Sequence, residues 1–212
     1  MRSFFTSLVL LASACAHHAE LDVRTCHGED AEGSARILAI GDSMQDFHES
    51  CDDVPGQAAR QLGRTIESRA VGGATMLEEI PWQYVSGDWD WVLVNGGGND
   101  LECEEQAACL EQLDEVIDTL DGLLETIARD GARIALLGYP DFPDEPRWEL
   151  AGEEMMTRYA ALAAEHDALF IDLRPVIHAG TPELFADEVH PTVEGAEVIG
   201  AEIARVLREA GA

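Results

Sequence analysis

The sequence predicts an α/β fold, a parallel sheet with helices on both faces, and three observations carry that expectation. Short, apolar, β-favouring runs alternate with longer segments of helical spacing, the pattern of strand–helix–strand crossovers. The helical segments carry apolar residues three and four apart with acidic residues between them, so each has one face to bury. Finally, Gly41-Asp42-Ser43, Gly72-Gly73 and Gly96-Gly97-Gly98-Asn99-Asp100 each follow a predicted strand. In a parallel sheet those turns gather at one edge, the carboxyl ends of the strands, where sites on such folds lie.

Taken in order, residues 36–40 form the first predicted strand, with Ile37, Leu38 and Ile40 apolar and Gly41 ending it. Residues 54–63 have helical spacing through Val54, Ala58, Ala59 and Leu62 and stop at Gly63. Residues 65–71 predict a second strand, and residues 75–84 a short helix interrupted by Pro81. Residues 89–95, WDWVLVN, make the clearest strand. A long amphipathic helix follows through Leu110, Leu113, Val116, Ile117, Leu120, Leu123, Leu124 and Ile127 until Gly131. Residues 133–139 are a fourth strand, 140–148 a proline-rich loop, 148–166 a helix and 168–173 a fifth strand. Thr192 is the expected cap of a last helix carrying Ala196, Ile199, Ile203, Val206, Leu207 and Ala210 on one face.

Composition narrows the partners. The 212 residues suit one domain, and 46% hydrophobic content marks a folded chain, not an acidic disordered one. Its 42 acidic and 13 basic residues give a net charge of -29, and every basic residue is Arg. Such a surface repels phosphate backbones and anionic lipid heads, so nucleic acid is excluded as an expected partner.

Residues 1–15 have the form of an export signal: Arg2, an apolar run over residues 4–12 and then Ser13-Ala14-Cys15. Leu11-Ala12-Ser13-Ala14-Cys15 resembles a bacterial lipobox, which would make Cys15 a lipid-modified N-terminus and the sole membrane contact; cleavage after Ala14 or Ala16 is the competing outcome. Residues 16–34 are expected to be a tether ahead of a domain over residues 35–212. Four cysteines remain, an even number in an exported chain. Of three possible pairings, Cys103–Cys109 closes one local loop and leaves Cys26–Cys51. No C-x-x-C pair is present, and no metal is expected.

The turns hold residues with chemistry. Ser43 ends a strand at a glycine turn, a position for a nucleophile as well as for a helix cap. His190 could take its proton, and Asp187, three residues earlier, could fix the imidazole. The Ser43 and Gly73 N–H groups and the Asn99 amide could receive an oxyanion. The glycine turn at 96–98 lacks both G-x-G-x-x-G and G-K-[ST], which argues against a nucleotide site. His48, near Asp46 and Asp52, is expected on an exposed loop, and Trp82, Tyr84, Trp89 and Trp91 in or beside the core.

In order and over nearly the whole domain, these blocks resemble the SGNH hydrolases, the GDSL esterase and lipase family. Gly41-Asp42-Ser43 matches the nucleophile block, with Met44 in place of the common Leu; Gly73 matches the second-block glycine, Gly97-Gly98-Asn99-Asp100 the G-x-N-D block and Asp187-x-x-His190 the closing D-x-x-H. Ser68 stands near where many members have asparagine. The resemblance implies a three-layer α/β/α sandwich around a five-stranded flavodoxin-like parallel sheet. It implies a Ser43–His190–Asp187 triad, an oxyanion hole of Ser43, Gly73 and Asn99, no cofactor, and hydrolysis of lipid, small acyl or acetylated sugar esters, or acyl transfer to a cell-surface polysaccharide at the same triad; a non-catalytic surface lipoprotein that keeps the fold as a binding module is the rival of a different class. Met44, Leu101, Tyr139 and Phe142 are the expected acyl-pocket wall.

Overall fold

The computed structural model describes residues 23–28, 36–101, 103–142 and 146–212. Residues 1–15, with the export signal and Cys15, lie outside them. Within them, six strands form one sheet: β1 (Arg24–His27), β2 (Arg36–Ile40), β3 (Thr65–Ser68), β4 (Trp91–Val94), β5 (Arg133–Leu137) and β6 (Leu169–Ile171). The helices are α1 (Val54–Leu62), α2 (Ile80–Gln83), α3 (Gln106–Arg129), α4 (Pro146–Glu165) and α5 (Val193–Glu209). Among the described residues no helix is long and apolar enough to cross a membrane.

The strand order is β1-β3-β2-β4-β5-β6, with β3 to β6 parallel to β2 and β1 antiparallel at the edge. The five parallel strands are the expected flavodoxin-like set. β1 is a sixth, and it corrects the tether expectation at Arg24–His27: these residues pair with β3 from Arg24↔Ser68 to His27↔Thr65. The chain steps from β2 outward to β3, then returns past β2 to β4 and continues to β5 and β6. With right-handed crossovers, that reversal puts helices on opposite faces: α1 packs on α5, and α3 on α4. It also opens a crevice between the carboxyl ends of β2 and β4, the two strands followed by Ser43 and by Asn99.

The central strands are apolar because both faces are covered. Ile37, Leu38, Ala39 and Ile40 of β2 and all four residues of β4 are buried. Trp89 and Trp91 are buried as expected, with Arg36 over the first ring and Arg133 over the second. Trp82 departs from that expectation at 70% exposure. Two prolines start helices instead of breaking them. Pro81 lies at the beginning of α2, and Pro146 opens α4 two residues before the end of the expected 140–148 loop; in a first turn proline removes only an N–H that had no partner. Both disulfides, Cys26–Cys51 and Cys103–Cys109, are formed.

Candidate active site

β2 delivers Ser43. After Ile40 the turn is locked on both sides: Gln83 accepts the Gly41 N–H at 2.7 Å and donates to the Gly41 carbonyl at 2.9 Å, while Gln45 donates to the Ile40 carbonyl at 2.7 Å. The turn that carries Ser43 is thus held by buried amides from α2 and from its own loop, and Ser43 lines the crevice.

His190 comes from the opposite side of the sequence. Thr192 caps α5 by accepting the Gly195 N–H at 3.1 Å, and the turn before the cap places His190 against Ser43. Its Nε2 lies 2.9 Å from Ser43 Oγ, and its Nδ1 lies 3.0 and 2.8 Å from the two Asp187 oxygens. Asp187 Oδ1 also accepts the backbone N–H groups of Val189 at 3.0 Å and His190 at 2.8 Å. Partial burial, the largest single influence, pushes this carboxyl up; the two backbone donors and the imidazole outweigh it and hold it below the usual carboxylate range.

The donors face the same crevice. Val71 to Ala74 form a turn closed by Ala74 N–H to the Val71 carbonyl at 3.1 Å. Gly73 is its third residue with φ +81°, the left-handed value that a type II turn requires. A Cβ on Gly72 would stand 3.9 Å from Ser43 Cβ, which puts the turn beside Ser43. Asn99 lies in a single 3-10 turn, Gly98–Asp100, reached through Gly97 at φ +103°, and donates one amide hydrogen to the Ala74 carbonyl at 3.0 Å. Its second hydrogen is left for another acceptor. Among the described residues the Ser43 and Gly73 N–H groups have no acceptor. Asp100 braces this arrangement, accepting the Met76 and Leu77 N–H groups at 2.8 and 2.9 Å; burial nevertheless pushes its carboxyl up.

A pocket of about 60 Å³ opens at Ser43. Met44, Leu101, Tyr139 and Phe142 all line it, together with Asn99 and His190, while Gly73 sits on the adjoining turn and Asp187 behind the imidazole. Trp148 and Val189 complete the wall. In the sequence the first ends the proline-rich stretch and the second lies inside the D-x-x-H block, so neither carries a sign of lining a pocket. Trp148 packs edge to face with Tyr139 and Phe142, and those two are tilted against each other, with centroids 5.0 to 6.0 Å apart. Tyr139 is also polar structure: its hydroxyl donates to Asp42 at 2.5 Å and accepts the Gly98 N–H at 2.9 Å. Burial and the neighbouring Asp42 carboxyl push the phenol well up, so it remains a neutral donor. Burial likewise raises Asp42 against its bonds from Tyr139 and the Met44 N–H.

Two residues of the site had no signal in the sequence. Phe47 lies flat on the His190 ring, centroids 4.1 Å apart and planes 4° apart. His48, expected on an exposed loop, is half-buried and donates from Nε2 to the Pro191 carbonyl at 2.9 Å. Among the described residues no group of three His, Cys, Asp or Glu is placed to hold a metal ion.

A serine, an imidazole and a carboxylate in series beside N–H donors that face the same crevice, on a doubly covered parallel sheet, have the form of a serine-hydrolase site. The sequence profile of the GDSL-like lipase/acylhydrolase family matches residues 39–198, and the chain belongs to that family; it is a carboxylic ester hydrolase. Solved structures share its fold. An acetylxylan esterase from Geobacillus stearothermophilus is 20% identical over 87% of this chain and 97% of its own, with a TM-score of 0.62. A member of the lipolytic protein G-D-S-L family from Veillonella parvula is 15% identical over 82% of this chain and 99% of its own, with a TM-score of 0.63. No curated protein matches the chain.

Proposed function

We propose that the protein is an exported serine esterase acting on short acyl esters, acetylated sugars among them, through an acyl-enzyme on Ser43. The observation that carries the reading is the relay Asp187–His190–Ser43, in which every hydrogen bond lies between 2.8 and 3.0 Å. As Ser43 Oγ attacks the ester carbonyl, its proton passes to His190 Nε2, and Asp187 supports the imidazolium that forms. The carbonyl oxygen becomes an oxyanion received by the Ser43 and Gly73 N–H groups and the free Asn99 hydrogen. Collapse breaks the bond to the leaving oxygen, which takes the proton from His190 and departs as an alcohol. Water then repeats the sequence: it loses a proton to His190, attacks the acyl-enzyme, and releases the acid and Ser43.

The wall supports a short acyl group. Tyr139, Phe142 and Trp148 stand close beside Ser43, and an acetylxylan esterase is among the proteins of this fold. Two disulfides support export, because such bonds persist in oxidising compartments; lipid attachment at Cys15 would then hold the enzyme at a membrane surface.

Hydrolysis of p-nitrophenyl acetate and butyrate by the disulfide-intact protein and by Ser43→Ala tests the reading. Ser43→Ala is expected to keep the fold and lose about 10³- to 10⁶-fold in kcat, and acetate is expected to outrun butyrate. Turnover that survives the substitution would end the serine mechanism; a preference for butyrate would end the short-acyl assignment.

A further inference from the structure

Three consecutive side chains after the nucleophile reach three separate parts of the site. Asp46 Oδ2 accepts the Gly72 N–H at 3.0 Å, Phe47 covers the His190 ring, and His48 holds the carbonyl of Pro191, the residue after His190. This segment is itself gripped from the edge of the sheet. The Arg24 guanidinium on β1 pairs with Asp46, donates to the His48 carbonyl at 3.0 Å and stands 2.7 Å from Asp53 Oδ2, the carboxylate that caps α1. The Cys26–Cys51 disulfide ties β1 to the same loop. The family match begins at residue 39, so the grip is applied from outside the matched stretch.

The Gly72-Gly73 turn has a physical need for such a hold. Two successive glycines are the most permissive backbone available. The bond from Ala74 N–H to the Val71 carbonyl closes a type I turn as well as a type II turn, and the two differ by the orientation of the central peptide, which carries the Gly73 N–H. The turn's own closing bond therefore does not decide where that donor points. Asp46 anchors the peptide that enters the turn at the Gly72 N–H, fixing the frame from which the Gly72–Gly73 peptide is presented, and Arg24 fixes the direction of the Asp46 carboxylate.

Resting on the serine-esterase reading, we propose that Asp46, held by Arg24 of the disulfide-anchored edge strand, is a positioning residue that sets the Gly72-Gly73 turn so that the Gly73 N–H meets the oxyanion. A boronic acid distinguishes this from a merely structural role: Ser43 Oγ adds to boron, its proton goes to His190, and the tetrahedral anion presents an oxygen to the same donors. The test compares kcat and KM for p-nitrophenyl acetate, and Ki for phenylboronic acid, in the disulfide-intact wild type, Asp46→Ala, Asp46→Asn and Arg24→Met. Asp46→Ala is expected to lose about 10- to 100-fold in kcat with KM within about twofold, and to weaken phenylboronic acid by the same factor. Asp46→Asn, which retains an acceptor for Gly72, is expected to stay within about threefold of wild type, and Arg24→Met to fall between the two. A folded Asp46→Ala with unchanged kcat, or with lowered kcat and unchanged Ki, overturns the proposal. Should Asp46→Ala not fold, Arg24→Met decides on the same two readouts. Turnover that persists in Ser43→Ala overturns the serine reading and this proposal together, whereas serine-dependent turnover indifferent to Asp46 and Arg24 overturns the brace alone.

Discussion

Asn99 divides its amide between two tasks, one hydrogen on the Ala74 carbonyl and one facing the crevice. Asn99→Ala removes the proposed oxyanion donor and a tie between the β4 turn and the Gly73 turn. We expect kcat to fall by about 10² to 10³ with little change in KM, the signature of an interaction made mainly in the transition state; steady-state kinetics on p-nitrophenyl acetate checks it. Asp42 poses a different question at the same scale, because burial holds its carboxyl above its ordinary value of 3.8. The sign follows from proton binding. A native state with the higher carboxyl pKa binds more protons than the unfolded chain as pH rises past 3.8, so this group's contribution to stability declines through that window and stays lowered at neutral pH. Asp42→Asn removes the titration but keeps an acceptor for the Met44 N–H. The melting temperature of Asp42→Asn relative to wild type should therefore be more favourable to the variant at pH 7 than at pH 4.5, whatever the offset between them; an equal difference at both pH values would contradict the assignment.

At the scale of elements, helix ends aim the chemistry. Thr192 caps α5 just two residues after His190, so the bond that begins the helix also ends the loop that carries the base. Thr192→Ala should lower stability by about 1 kcal/mol, and Thr192→Ser should restore most of it; denaturant unfolding of the three proteins measures both. Most elements were legible in the sequence because each obeys a local rule. The strand at β2 shows an apolar run cut by glycine, α3 a stripe of leucines, and α5 a capping threonine. The hydrogen-bonded cluster of Asp187, His190 and Ser43 was legible because Asp187 and His190 are neighbours on one turn and Ser43 follows a strand. What escaped had no local sign. β1 is four residues long with Cys26 alone buried, and what defines it is pairing with β3 about forty residues away. The sequence puts His48 on an exposed loop and is silent on Phe47, because their partners, Pro191 and His190, lie at the far end of the chain. Pro81 and Pro146 read from sequence as breakers because proline's effect changes sign between the interior and the first turn of a helix.

Over the whole molecule the dominant quantity is the charge of -29. With 42 carboxylate residues and 13 arginines, most acidic side chains lack a cationic partner of their own, and their mutual repulsion opposes the compact state. Two kinds of interaction respond to salt in opposite directions. Surface pairs such as Arg205 with Glu202 and Glu209 weaken as salt is added, but exposed pairs contribute little. Repulsion is relieved by the same screening, whose length shrinks from about 10 Å at 0.1 M to about 3 Å at 1 M. Because like-charge encounters outnumber pairs, relief should win. We expect the melting temperature at pH 7 to rise between about 0.1 and 1 M NaCl, by about 2 to 8 °C if the relief amounts to roughly 1 to 2 kcal/mol in a domain of this size. Near pH 4.5 the rise should shrink. Protonation there begins to neutralise the carboxylates, starting with those such as Asp42, Asp53 and Asp100 whose burial holds them above their ordinary value. Thermal unfolding followed by circular dichroism over this grid of salt and pH is decisive: a melting temperature that falls with salt at pH 7 would show that the arginine pairs, few as they are, outweigh the repulsion.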